Sequence, residues 1–226
     1  MRVELEGVSK AARAHALPET TLRFDSGEVT FAFAETEQRP TVLGLLASGR
    51  MKADAGRVLI DGEEDPKALR RRVALVDAPD VSAPEPNVFV GAVVAEELMF
   101  AGHRSGPVSA RRWLKKHDMD GVATRPFGNL EPRERLRLLC ELALLRRGVG
   151  GLVLVAPDRH GGDPRVWWEL ADGFAQRGIA MLTVAGEASR LVLGIDPSPD
   201  DQAPPDDDAP PSDADDAVSS VEEGAS

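Results

Sequence analysis

Short apolar runs separated by helical patterns set the strongest limit on what this chain can fold into. Arg72–Val76, Leu152–Val155 and Ile179–Val184 are four to six residues long, which suits strands better than helices. Between the last two, Pro164–Arg177 reads as a helix closed by Gly178, a residue at ease in a left-handed C-terminal cap. Val93–Phe100, Ser109–Lys116 and Pro132–Arg147 are further helix candidates. In the last of these, Leu136, Leu139, Leu142, Ala143 and Leu145 share one face, a core stripe rather than a ligand site. Strands alternating with helices predict an α/β fold built on a parallel sheet.

The first half has a different rhythm. Arg2–Glu6 and Thr21–Phe24 alternate apolar and polar residues, as half-buried strands do. Asp25-Ser-Gly27 is a turn, and Glu28–Ala34 is a buried strand candidate. Thr41–Ala47 reads as a helix with Pro40 in its first turn, where a missing N–H costs nothing. Ala55–Gly62 is a strand running into a turn. This opening predicts a small antiparallel β layer beside the parallel sheet.

Charge divides the chain near residue 195. Asp196–Ser226 holds eleven of the 38 acidic residues, six prolines and no Lys or Arg. The remaining 27 acidic residues match 27 basic ones, so the whole charge of −11 resides in this segment. With so little apolar surface to offset the entropy of ordering, it is expected to be a disordered acidic tail, solubilising or docking on a basic surface. Ser212, Ser219 and Ser220 lie among its acids, so phosphorylation there adds like charge. The organisation expected is one domain over 1–195, with a helical subdomain near 84–147, then the tail over 196–226. A neutral body with an acidic tail argues against nucleic-acid binding. No run approaches the length of a membrane span, and the charged N-terminus does not resemble a signal peptide. A cytoplasmic location is expected. Cys140, the single cysteine, excludes an intrachain disulfide framework.

Several phrases, in this order, resemble the nucleotide-binding domain of ATP-binding cassette (ABC) transporters. They are Glu6–Lys10, Gly27–Thr30, Leu45–Ala47, Ala55–Gly62, Arg70–Ala74, Glu96–Ala101 and the Gly161-Gly-Asp-Pro164 turn. Together they span most of residues 3 to 190. The resemblance implies a P-loop fold, ATP and magnesium as ligands, and a membrane permease as partner.

The residues that perform this family's chemistry are replaced. Where the family carries its magnesium Asp and catalytic Glu after an apolar strand, this chain has Ala156 and Pro157. Neither side chain binds a cation or polarises a water. A phosphate loop needs glycines whose N–H groups wrap the phosphates, and a Lys. The matching stretch, Ala34-Glu-Thr-Glu-Gln-Arg-Pro-Thr41, has no glycine. Glu35 and Glu37 would each oppose a phosphate by about 4 kcal/mol at ~4 Å and an effective dielectric of ~20. Arg39 and Thr41 are the nucleotide-binding candidates that remain, in place of the Lys and the magnesium hydroxyl. The signature loop aligns with Leu130–Glu134 and lacks its Ser and both Gly. No aromatic lies at Ala11–Ala14, where adenine stacks, and the chain has no Tyr. The magnesium-sensing Gln falls at Asp77 or Ala78, and the switch His at Ala185 or Gly186. Asp77 is expected to cap a loop or coordinate a cation.

His15, His103, His117 and His160 do not have metal-ligand spacing, so no metal site is expected. His160, near Asp158 and Asp163, is expected to be a surface loop residue. Asp163 stands at the family's dimer contact and also suits a structural turn. Trp167 and Trp168 point about 100° apart on a helix, so one packs on the sheet and the other is a candidate partner anchor. Family ATP sites are shared between two subunits, and this chain lacks the residues of both halves. The expectation is a non-hydrolytic pseudo-ATPase without catalytic residues or cofactor, docking a permease or another ABC ATPase. Two alternatives stand beside it: a divergent ATP-hydrolysing subunit relying on Asp158, and a weak nucleotide sensor using Arg39 and Thr41.

Overall fold

The computed structural model describes residues 1–10, 16–35 and 39–196. The expectations for Ala11–Ala14, His15, Glu37 and the segment beyond Asp196 fall outside these residues.

Two sheets form the frame. β1 (Arg2–Lys10) pairs antiparallel with β2 (Leu17–Asp25) on one edge and β4 (Ala55–Ile60) on the other. The second sheet is wholly parallel, in the order β3 (Val29–Phe33), β7 (Ala180–Ala185), β6 (Gly151–Val155) and β5 (Val73–Val76). Its strands alternate between two cores, as the period of two requires. Val73, Leu75, Val153, Val155, Leu182 and Val184 face one core, shared with the antiparallel sheet and α1 (Arg39–Ala47). Ala74, Val76, Leu152, Leu154 and Met181 face the other, which the remaining large helices cover. Burial on both faces explains why β5, β6 and β7 have no polar alternation.

Helix α1 lies unusually close to the sheet. A Cβ on Gly44 would sit 2.7 Å from Val155 Cγ2 and 2.9 Å from Leu75 Cδ1. Only glycine allows this approach without displacing a strand residue.

The other core is closed by α3 (Val90–Phe100), α4 (Pro107–Lys116), α5 (Pro132–Ala143) and α6 (Pro164–Ala175). α5 starts with Pro132 and a reciprocal capping box between Glu131 and Glu134. Its Leu136, Leu139, Leu142 and Ala143 are buried, as the helical stripe requires. α6 is capped by Asp163, whose carboxylate accepts the Arg165 N–H at 2.9 Å. Two short helices have no counterpart in the sequence reading. They are α2 (Pro66–Arg72), capped by Asp65, and α7 (Glu187–Leu193), which ends at a left-handed Gly194.

Candidate functional site: the crevice at the carboxyl ends of the parallel strands

In an open parallel sheet, ligands bind in the crevice beyond the carboxyl ends of the strands. Here β5 ends at Val76, β6 at Val155, β7 at Ala185 and β3 at Phe33, so the crevice is bordered by Asp77, Ala156, Gly186 and Glu35.

Asp77 follows β5, the edge strand of the parallel sheet. It adopts a left-handed backbone (φ 57°) and is 1% exposed. Arg135 of α5 grips its carboxylate with two bonds, Nη2 to Oδ1 at 2.7 Å and Nε to Oδ2 at 3.2 Å. Arg159 Nη2 lies 3.1 Å from Oδ1. His160 Nε2 lies 2.6 Å from Oδ2. An ionised carboxylate only accepts, so Nε2 carries the proton. Arg159 also donates through Nη1 to the carbonyls of Asp77 (2.5 Å) and Val155 (3.0 Å). Its Nη1 thus ties the ends of β5 and β6 together. The Arg135 guanidinium rests over the Phe127 ring, 4.5 Å from its centroid.

Burial alone would raise the pKa of Asp77. The hydrogen bonds from His160 and Arg135 and the positive charge of Arg159 outweigh it, leaving the carboxyl below its usual range. Burial lowers the Arg159 pKa, against the pull of Asp77.

This geometry corrects two expectations. Asp77 neither caps a loop nor offers a free oxygen to a cation, because both oxygens are engaged by cationic or N–H donors. His160 is no surface residue beside Asp158 and Asp163; it turns inward onto Asp77. No motif signals this cluster, since Asp77 lies 58 residues from Arg135 and 83 from His160.

Ala156 and Pro157, where the sequence resemblance expects two carboxylates, follow β6, the strand next to β5, and lead into Arg159 and His160. Ala156 holds a left-handed conformation (φ 46°, ψ 56°), and Pro157 begins a single 3-10 turn to His160. The two acidic side chains that do approach the crevice serve backbone groups. Asp158 Oδ2 accepts the Gly186 N–H at 3.0 Å and the Ser189 hydroxyl at 3.2 Å. Glu35 Oε1 accepts the Glu187 N–H at 2.8 Å. The turn after β7 is therefore held by two carboxylates from other strand ends.

Arg39 and Thr41 lie half-buried in the first turn of α1. Asp163 is exposed, capping α6 and pairing with Arg165. Trp167 is 2% exposed in the core, so a partner cannot reach it; as a candidate anchor it is corrected. Trp168 is half-buried and packs against Phe31, with ring centroids 6.2 Å apart. Cys140 is buried and burial pushes its thiol pKa up, so it stays protonated and unreactive. Among the described residues there is no cluster of metal-ligating side chains, and no helix is long and apolar enough to cross a membrane.

No family model matches the sequence, and no curated protein matches it. Solved structures do. A nucleotide-free ATP-binding cassette from an ABC transporter superposes with a TM-score of 0.60 at 16% identity, covering 84% of each chain. CbiO1 from Clostridium perfringens, part of the ABC transporter complex cbiONQ, gives 0.57 at 18% identity over 82% of this chain and 78% of that one. The ADP conformation of MJ1267, also an ABC-transporter cassette, gives 0.57 at 16% identity over 82% of each. The fold is that of the ATP-binding cassettes of ABC transporters.

Proposed function

We propose that this chain is a cassette-shaped subunit that binds protein partners and does not hydrolyse ATP. The observation that carries this reading is the state of the crevice. Ala156 and Pro157 occupy the carboxylate positions, and Asp77 spends both oxygens on Arg135, Arg159 and His160. A triphosphate needs a backbone nest and a cation there. It would instead meet the Glu35 and Asp158 carboxylates, both committed to the turn after β7.

The partner fitting this reading is a membrane permease or a second ABC ATPase, with the chain on the cytoplasmic face of the membrane. One solved relative in fold is part of a transporter complex. Large apolar side chains on and beside α3 favour a protein partner. Phe89, Met99 and Phe100 are 56%, 55% and 63% exposed. Val81, Val88 and Phe100 border a cavity of about 510 Å³. Exposed aromatics near a concavity are typical anchors of a protein interface.

A steady-state phosphate-release assay on the full chain tests the reading, with magnesium-ATP at millimolar level. No turnover is expected. Turnover abolished by Asp158→Ala would replace this reading with that of a divergent ATP-hydrolysing subunit. Turnover unaffected by that substitution would mark a contaminant. Saturable nucleotide-dependent stabilisation without turnover, abolished by Arg39→Ala, would make the chain a nucleotide sensor.

A further inference from the structure

A second concavity, of about 520 Å³, opens among α4, the carboxyl end of α5 and the residues after α3 and α6. Its walls carry Arg104, Arg112, Lys116 and Arg177. Arg177 is neutralised by Glu141, with two bonds of 2.6 and 3.2 Å. Arg104, Arg112 and Lys116 are exposed and form no ion pair among the described residues. Trp113 forms part of the wall and stacks on His117 at 4.0 Å. His117 lies below its ordinary pKa, by burial first and then, against Glu141, by the positive charge of Lys116, Arg137 and Arg177. The cavity is therefore a basic cleft on a body whose overall charge is zero.

The complementary charge is in the same chain. Asp196–Ser226 carries eleven acidic residues and no basic one. Its starting point is fixed by two bonds, Arg190 Nη1 to the Ile195 carbonyl at 2.9 Å and Arg165 Nη2 to the Val192 carbonyl at 3.3 Å. The described chain thus ends beside the first turn of α6. Arg177 lies just past the other end of that helix, about 20 Å away at 1.5 Å per residue. Thirty residues span about 30 Å root-mean-square as a random coil and more when extended by like-charge repulsion. The acidic segment reaches the cleft with length to spare.

We infer that the acidic segment 196–226 docks within its own molecule on the basic cleft formed by Arg104, Arg112 and Lys116. The contact is electrostatic and exchanging, since tethering supplies a high effective concentration without requiring a tight interface. It does not depend on the nucleotide reading of the crevice.

Paramagnetic relaxation on the full chain tests this. A nitroxide on Ser219→Cys labels the segment alone, because the only native thiol, Cys140, is buried. The amides of residues 103–117 and Arg177 are expected to lose intensity at low salt. They should recover at about 1 M salt, where the screening length falls to ~3 Å. They should also recover in Arg112→Glu/Lys116→Glu, with the other amide positions unchanged. Should that pair disturb folding, Asp206→Asn/Asp207→Asn/Asp208→Asn weakens the same contact without touching the body. Absence of selective loss at low salt overturns the inference, as does loss that survives both salt and charge removal. Loss appearing equally when labelled chains are mixed with isotope-enriched unlabelled ones assigns the contact to a second copy, which also overturns it.

Discussion

Along the parallel strands, Leu152, Leu154 and Met181 feed one core while Val153, Val155 and Leu182 feed the other. At the carboxyl ends of those strands and of β5, Asp77, Arg135, Arg159 and His160 form a shared ion cluster around a buried carboxylate. The two regions touch, yet they obey different constraints. The strand interiors must be apolar on both faces for the sheet to be covered at all, whatever the molecule binds. The strand ends owe nothing to that requirement. There buried charges are tolerated provided each is paired, as Asp77 is by Arg135, Arg159 and His160.

The contrast is sharpest at Arg135. Its replacement by Met is expected to destabilise the fold by about 3–5 kcal/mol, because it strips two hydrogen bonds from a buried carboxylate. In a chain of this size that lowers Tm by roughly 6–20 °C. The joint replacement Asp77→Leu/Arg135→Met should cost less, since it leaves no buried carboxylate short of donors and Arg159 and His160, which lose their acceptor, are both partly exposed. If the single and double variants melt alike, the cluster is not a paired unit.

Acid provides the same test without mutation. The folded pKa of Asp77 lies below its ordinary value of 3.8, so its pairing contributes in full above that value. The contribution fades as pH falls through the folded pKa. Urea midpoints followed downward from about pH 6 should therefore fall more steeply in the natural chain than in Asp77→Leu/Arg135→Met.

On the packing side, Gly44→Ala is expected to cost about 1–3 kcal/mol, because its methyl would overlap Val155 and Leu75. A neutral result would mean α1 rides further from the sheet. Asp163→Ala should cost about 1 kcal/mol through the lost cap of α6. Smallest is Ala156→Gly, expected to gain up to about 1 kcal/mol by relieving a left-handed alanine. Thermal melts of the purified variants decide each of the three.

The sheet was legible because each of its strands is a local pattern. Leu152–Val155 and Ile179–Val184 are apolar runs of strand length, and the stripe of α5 repeats at helical spacing. Helix α2 carries only the Asp65-Pro66 capping signal, since its seven Arg-rich residues have no apolar stripe. The expected replacement of the family's carboxylates by Ala156 and Pro157 is likewise read from one local segment. The ion cluster beside them is not. The Asp77 cluster joins the residue after β5, a residue of α5 and the turn after β6, and pairing across 58 to 83 positions leaves no periodicity. Trp167 and Trp168 show the same limit: their helix puts them on different faces, but only packing assigns the buried one.

The central claim is that this crevice has exchanged a nucleotide for internal ion pairs. Isothermal titration of the full chain with magnesium-ATP, carried to millimolar nucleotide, tests it most directly. The account predicts no binding heat beyond dilution and no change in Tm. Saturable binding with a defined stoichiometry, weakened by Arg39→Ala or Thr41→Ala, would contradict it.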